Sequence, residues 1–81
     1  MSFLYVYILK SETDPASYYV GITEDLKARL LKHNSAGVPP TAKNRPWQIK
    51  TAIAFTDEPQ VHAFERDLKT ASGRAFAKKR L

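Results

Sequence analysis

One stretch near the start of this sequence, residues 3–10, constrains the fold more than any other. Its side chains alternate between two faces, Phe3, Tyr5, Tyr7 and Leu9 on one and Leu4, Val6, Ile8 and Lys10 on the other. Alternation with a period of two is typical of a β-strand, and a strand that is largely apolar on both faces has to be covered on both. The pattern therefore predicts a central strand with packing layers on both sides.

A second strand is expected to form a hairpin with the first. Residues 18–22 are aromatic and β-branched, which favours a strand. The polar segment between the two runs contains Asp14-Pro15, a turn signal. Two such runs joined by a short polar loop are typical of an antiparallel hairpin.

Helices and a third strand are predicted for the rest of the chain, from capping residues, first-turn acids and the positions of Gly and Pro. The first half contains a helix from about Glu24 to about His33 with Thr23 as its N-cap and Asn34 and Gly37 as stop signals, followed by a loop over residues 35–47. The second half contains a strand from Gln48 to Thr56 with Ile49, Ile53 and Phe55 on one face, a helix from Thr56 or Asp57 to near Ala71 with Pro59 in its first turn, and a short basic helix over residues 74–79. This order predicts a single α+β domain over residues 1–81, a three-stranded antiparallel sheet flanked by helices.

Composition narrows the class of partner. Thirteen Lys and Arg against eight Asp and Glu give a net charge of +5, which suits a polyanion such as nucleic acid without being specific for one. The chain has no cysteine, so it forms no disulfide and no thiolate metal site. No apolar run approaches about 18 residues and the first residues do not resemble a signal peptide, so we expect a cytoplasmic protein that does not span a membrane.

Two charged groups lie where a helix should face the core. In the first helix, Leu26, Leu30 and His33 share one side, and Arg29 lies on that same side. A guanidinium and an imidazole therefore flank the stripe that should meet the sheet. His33 has two interpretations, a helix cap or rim group and a functional imidazole.

The second helix places a carboxylate on its apolar side. Val61, Phe64 and Leu68 form the stripe, which Ala71 would extend, and Glu65 lies between them. A charge so placed is costly unless it is paired or binds a metal. Either Glu65 forms a structural salt bridge with Arg29 or Lys10, or it lines a cleft and binds a cation.

The tyrosines allow two interpretations as well. Tyr5, Tyr7, Tyr18 and Tyr19 lie on the two adjacent strands of the hairpin. Aromatic pairs across strands commonly stabilise a sheet. Yet a thin domain has difficulty in burying every hydroxyl with a partner, so some of these side chains should face a polar cleft.

Taken together, these residues resemble the signature of the GIY-YIG nucleases. Tyr5-Val6-Tyr7 and Tyr19-Val20-Gly21 correspond to the paired motif that names the family, and Arg29 follows Gly21 by eight residues, as the family arginine does. The further matches are Lys10, placed as in the nuclease module of the bacterial excinuclease, His33-Asn34, Thr41 and Arg45-Pro46-Trp47, as in small single-domain bacterial members, and Glu65. The first motif departs from Gly-Ile-Tyr, and no asparagine follows Asn44, whereas some members have one after the glutamate.

The resemblance implies an endonuclease that depends on a divalent metal and hydrolyses a phosphodiester in DNA, with structure-selective specificity. It implies Tyr7 as general base, Tyr19 as a hydrogen-bonding partner of water and phosphate, and Arg29 on the scissile phosphate. Lys10 and the metal would lower the pKa of the tyrosine, and His33 would contact a second phosphate oxygen or shuttle a proton. Glu65 would hold one ion, Mg²⁺ or Mn²⁺, because a single carboxylate suits a hydrated ion better than a two-metal site.

Contacts to the nucleic acid are expected from basic side chains and one aromatic. The candidates are Lys43, Arg45, Trp47, Arg74, Lys78 and Lys79. Trp47 could equally anchor the core.

Two other functions fit the sequence. A nucleic-acid-binding module of the same fold would need no divalent ion, whereas a nuclease would. A protein-interaction domain, with Trp47, Phe55 and Val61 as its contact patch, would show no steep salt dependence of DNA affinity. Any protein partner is unknown from the sequence.

Overall fold

Three strands and four helices make up the fold in a computed structural model that describes residues 2–81. The elements are β1 (Leu4–Ser11), β2 (Tyr18–Thr23), α1 (Leu26–Asn34), α2 (Pro39–Ala42), β3 (Trp47–Phe55), α3 (Glu58–Leu68) and α4 (Ala71–Arg80). The sheet has the order β2-β1-β3, and both neighbours of β1 run antiparallel to it. The predicted α+β class and the three-stranded antiparallel sheet are therefore confirmed.

The central strand β1 is buried on both faces, as its alternation predicts. Val6 and Ile8 pack with Val61 and Leu68 of α3 on one side, which we call the α3 face. Tyr7, Leu9 and Trp47 pack with Tyr19, Leu26, Leu30 and Ile49 on the other side, which we call the α1 face. Burial of each large apolar side chain contributes roughly 1.5–3 kcal/mol, so the two clusters together hold both helical layers on one strand.

A β-bulge corrects the predicted pattern of the third strand. The register with β1 shifts by one residue between Ile8, which pairs with Thr51, and Leu9, which pairs with Ile49. An extra residue reverses the side to which the following side chains point. Ile49 consequently packs on the α1 face and Phe55 on the α3 face, so the prediction that they share a face was wrong.

The start of α1 differs from the prediction. Thr23 is the last residue of β2, and Asp25 is the N-cap, its Oδ1 accepting from the Ala28 N–H at 3.0 Å. The helix therefore begins two residues later than predicted, at Leu26. The helix ends at Asn34, within a residue of the predicted end, and beyond it Ala36 has a left-handed backbone, with φ of 64°.

The predicted loop over residues 35–47 contains one short helix, α2. Pro39 and Pro40 begin it rather than interrupt it, because the first turn of a helix needs no backbone N–H donor. Thr41 therefore lies in a helix, where the sequence predicted no regular structure.

The last two helices are separated by only two residues, Lys69 and Thr70. Helix α3 ends at Leu68, and α4 begins at Ala71 with Thr70 as its N-cap, so Ala71 does not extend the α3 stripe and α4 starts before Arg74. A Cβ on Gly73 would lie 1.7 Å from the carbonyl oxygen of Asp67, so only glycine fits at this approach. No helix within residues 2–81 has both the length and the hydropathy needed to cross a membrane.

Candidate active site

The site begins with Tyr7, whose ring lies across Gly21. The two residues are opposite each other in the β1–β2 register. A Cβ on Gly21 would lie 2.5 Å from the Tyr7 hydroxyl oxygen and 2.6 Å from Cζ. Glycine is therefore the residue that lets the tyrosine ring lie flat over the neighbouring strand.

A chain of hydrogen bonds leads from this hydroxyl into the protein. Tyr7 Oη is 2.8 Å from His33 Nε2, and His33 Nδ1 is 2.7 Å from Thr41 Oγ1. Tyr7, His33 and Thr41 are 2%, 0% and 1% exposed. The imidazole is thus fully buried between two hydroxyls, so it cannot contact a phosphate directly, and of its two predicted roles only that of proton shuttle fits this position.

Tyr19 completes the aromatic group on the α1 face. Its ring centroid lies 4.8 Å from that of His33 and 6.4 Å from that of Tyr7. Unlike Tyr7 and His33, Tyr19 is half-buried, as is Arg29 of α1. These two residues therefore form the solvent-facing part of the cluster.

Burial and charge set the protonation of the cluster. Burial, with a smaller contribution from Tyr19, raises the pKa of Tyr7 to about 12, against an opposing effect of the Arg29 guanidinium. Burial lowers the pKa of His33, and the cations Arg29 and Lys32 lower it further. At neutral pH the tyrosine is therefore protonated and the histidine neutral, the arrangement in which His33 can accept a proton.

The His33-Asn34 pair contributes two different contacts. Asn34 accepts from the Trp47 N–H at 2.6 Å and donates to the Trp47 carbonyl at 3.0 Å, which ties the end of α1 to the start of β3. The indole N–H of Trp47 donates to the Thr41 carbonyl at 2.7 Å. Trp47 is 4% exposed, so it anchors the core, and the predicted stacking on a base is wrong because its ring is covered.

Glu65 belongs to α3, not to the helix that carries Arg29 and His33. Its helix packs on the α3 face, and its carboxylate forms an ion pair with Lys69, one turn along the helix. The pairing predicted with Arg29 or Lys10 was therefore wrong, since the nearer cation takes the carboxylate. The Glu65 side chain keeps 20% of its surface exposed.

The arrangement of the acidic side chains decides what kind of metal site is possible. No cluster of three or more His, Cys, Asp or Glu that could hold an ion occurs among residues 2–81. The donor chemistry available at Glu65 is a single carboxylate reachable from solvent. This fits a hydrated Mg²⁺ that takes most of its ligands from water and substrate oxygens, and it does not fit a site closed by protein ligands.

The other basic candidates lie outside the cluster. Strand alternation puts Lys10 on the α3 face with Ile8, whereas Tyr7 and Leu9 face α1. The remaining candidates are exposed side chains, Lys43 and Arg45 near α2 and Arg74, Lys78 and Lys79 on α4. Their positions leave them free to meet a polyanion, and their roles stay predictions.

Two residues matter more than the sequence indicated. The family resemblance implies no role for Thr41, and it gives Gly21 only a place in a motif. In the predicted hairpin, a glycine opposite a tyrosine indicates that the tyrosine ring covers the glycine. The contact of Thr41 depends on α2, and no local pattern indicated it.

Two comparisons with known proteins gave a match. The family profile described as GIY-YIG catalytic domain matches residues 3–80. The chain is also 43% identical over 58 residues to the structure-specific endonuclease subunit SLX1 of Scheffersomyces stipitis, a match that covers 64% of this chain and 17% of that relative. The chain thus spans only a small part of the length of this relative, and no solved structure matches the chain.

Proposed function

This chain belongs to the family of GIY-YIG catalytic domains, which are nuclease domains, and from that premise we propose that it is a divalent-metal-dependent endonuclease acting on DNA. The observation that carries the proposal is the contact of 2.8 Å between Tyr7 Oη and His33 Nε2, beside Tyr19 and Arg29. A buried tyrosine joined to a neutral histidine is a pair through which a proton can be moved.

Tyr7 cannot act as a base by losing its proton to solvent, because its pKa of about 12 keeps it protonated. In the proposed step the attacking water gives a proton to Tyr7 Oη while Tyr7 passes its own proton to His33. The water oxygen bonds to phosphorus, the bond from phosphorus to the leaving oxygen breaks, and that oxygen takes a proton from solvent. His33 is neutral at pH 7, so one ring nitrogen is free to take the proton, while the burial and the cations that lower its pKa oppose the transfer and favour its reversal.

Arg29 and Tyr19 are assigned to the phosphate. Arg29 is half-buried and close enough to Tyr7 to oppose the rise of its pKa. A planar guanidinium in this position can donate to two phosphoryl oxygens as negative charge develops on them. The Tyr19 hydroxyl is assigned to the attacking water or to the same phosphate.

Glu65 is assigned to the metal. A bound Mg²⁺ or Mn²⁺ would supply positive charge to the phosphoryl and leaving oxygens. The Lys69 ammonium is paired with the Glu65 carboxylate, so this ion pair has to break when the carboxylate binds a metal ion. Lys10 is proposed only as a further cation of the site.

Structure-selective cleavage is the proposed specificity. The SLX1 relative is described as a structure-specific endonuclease subunit, and the small basic surface here offers phosphate contacts rather than base readout. The exposed basic side chains of α4 and of the segment after α2 are the proposed DNA contacts.

The test combines a substrate panel with a matched pair of variants. Branched, nicked, single-stranded and duplex DNA, with RNA counterparts, are incubated with Mg²⁺, Mn²⁺ or a chelator. We expect cleavage of branched DNA that depends on the metal ion. The cleavage rate should be about a hundredfold lower in Glu65→Gln. Glu58→Gln is the control, because Glu58 lies on the same helix and also has an i+4 partner, His62.

Three outcomes would count against the proposal. Equal cleavage by Glu65→Gln and the wild type would remove Glu65 from the mechanism. Cleavage in the chelator would remove the metal. Salt-dependent DNA binding without cleavage under any condition would identify a nucleic-acid-binding module instead.

A further inference from the structure

A buried threonine lies at the inner end of the Tyr7–His33 pair. Thr41 Oγ1 is 2.7 Å from His33 Nδ1 and donates to the Val38 carbonyl at 3.1 Å. The backbone of Thr41 is fixed as well, because its carbonyl accepts from the Trp47 indole at 2.7 Å. Within residues 2–81 every buried side-chain nitrogen and oxygen has a hydrogen-bond partner, and this threonine is part of that arrangement.

Counting donors assigns the protons. A threonine hydroxyl has one hydrogen, and a bond from it to Val38 O, which can only accept, uses that hydrogen. The Thr41 oxygen is then left as an acceptor for the His33 Nδ1–H. A neutral imidazole has one N–H, so Nε2 is unprotonated and accepts from the Tyr7 hydroxyl.

The other neutral tautomer, with the proton on Nε2, reverses the direction of these hydrogen bonds. A proton on Nε2 would make Tyr7 the acceptor, and the Thr41 hydroxyl would have to turn from Val38 toward Nδ1. No basic site would then remain next to the Tyr7 proton. The choice between the two nitrogens therefore decides whether His33 can receive that proton at all.

We propose that Thr41 is a positioning residue that holds His33 in the Nδ1–H tautomer and thereby makes Nε2 the acceptor of the Tyr7 proton. Its catalytic consequence rests on the proposed nuclease function. In the attack step the proton leaves Tyr7 Oη for Nε2, a water proton replaces it on Oη, and the resulting imidazolium keeps its Nδ1–H on Thr41. The proton returns from Nε2 through Tyr7 to solvent after the product leaves.

The groups that face His33 act on both halves of this cycle. Tyr7 and Tyr19 lie against the imidazole from the two strands, and Arg29 and Lys32 of α1 are the charges that act on it. Both charges are positive, so they oppose the transfer of the proton to Nε2 and promote its return once the reaction is over.

The test uses nitrogen NMR of the intact protein labelled with ¹⁵N-histidine, with His62→Gln to identify the His33 signals. Wild-type protein at neutral pH should show a pyrrole-type Nδ1 and a pyridine-type Nε2. Thr41→Val keeps the shape of the side chain and removes the acceptor, so the neutral tautomer should change and cleavage should fall about tenfold or more, with DNA affinity unchanged. Thr41→Ser should restore both.

The outcomes separate this proposal from the function on which it rests. A protonated Nε2 in the neutral wild-type protein would overturn it directly, even if Thr41→Val failed to fold. An unchanged tautomer in folded Thr41→Val would overturn it too. If the wild type cleaves nothing, the proposed function fails, while the wild-type NMR spectrum still decides the role of Thr41.

Discussion

Replacement of Gly21 by alanine tests whether the position of the Tyr7 ring controls both the stability and the chemistry of this domain. The added Cβ would lie 2.5 Å from the Tyr7 hydroxyl oxygen, whereas ordinary contact begins at 3.4 Å, so the ring has to move by about 0.9 Å. Moved by that distance in either direction along the bond to His33, the hydroxyl oxygen would lie about 3.7 Å or about 1.9 Å from Nε2 instead of 2.8 Å, and neither distance is a hydrogen bond.

The expected effects follow from this displacement. Overpacking of a core costs about 1–3 kcal/mol, and each kcal/mol lowers the melting temperature of a domain of this size by about 4–8 °C. We therefore expect Gly21→Ala to melt about 4–24 °C below the wild type. Cleavage should fall by about a hundredfold where the protein is still folded, because the proton path is broken.

Circular dichroism melting and cleavage of the best substrate, both measured on the same preparation, check the prediction. Gly37→Ala is the control for crowding away from Tyr7, because the new Cβ would lie 2.9 Å from Cγ and 3.1 Å from the carbonyl oxygen of Lys32, and Gly37 has no left-handed backbone. If Gly21→Ala melts and cleaves like the wild type, the assigned position of the Tyr7 ring is wrong.

Three further predictions address other parts of the molecule. Ala36→Gly should raise the free energy of unfolding by about 1 kcal/mol, because glycine adopts the left-handed backbone without a Cβ clash, and denaturant unfolding measures it; a loss of stability would contradict the assigned φ. Arg29→Ala should lower the turnover of bound DNA more than it weakens DNA binding. Single-turnover kinetics measure the turnover and fluorescence anisotropy measures the affinity. A loss of affinity alone would make Arg29 a docking residue. The lowered pKa of His33 means that the unfolded state takes up more protons than the folded state as the pH falls below about 6.5, so stability should be complete above that pH and should decrease below it. Urea midpoints from pH 8 to pH 5 measure this effect, which should be absent in His33→Gln, and Asp14 does not interfere because its pKa is lowered from 3.8.

The parts of the fold that the sequence predicted correctly are those with local causes. The alternation around Tyr7 indicated a strand covered on both faces, and the stripe of Val61, Phe64 and Leu68 indicated the packed side of α3. The bulge that separates Ile49 from Phe55 was missed, because strand register depends on a partner strand distant in the chain.

The site was predictable to a similar extent. The spacing along α1 put Arg29 and His33 on the side that meets the sheet, where the structure has them near Tyr7. The complete burial of His33 could not be predicted, because it depends on α2, which begins at prolines that also suit a loop. The partner of Glu65 was predictable, since Lys69 is four residues away and such pairs meet on a helix.

The hydrogen bond between the Trp47 indole and the Thr41 carbonyl has a practical consequence. The chain contains one tryptophan, so fluorescence excited selectively from tryptophan in the unlabelled protein comes from Trp47 alone. The Trp47 ring is hydrogen-bonded to Thr41, the residue that contacts His33. Indole emission depends on the surroundings of the ring. Native fluorescence can therefore follow, in real time and without a dye, any rearrangement around Thr41 when an ion or DNA binds.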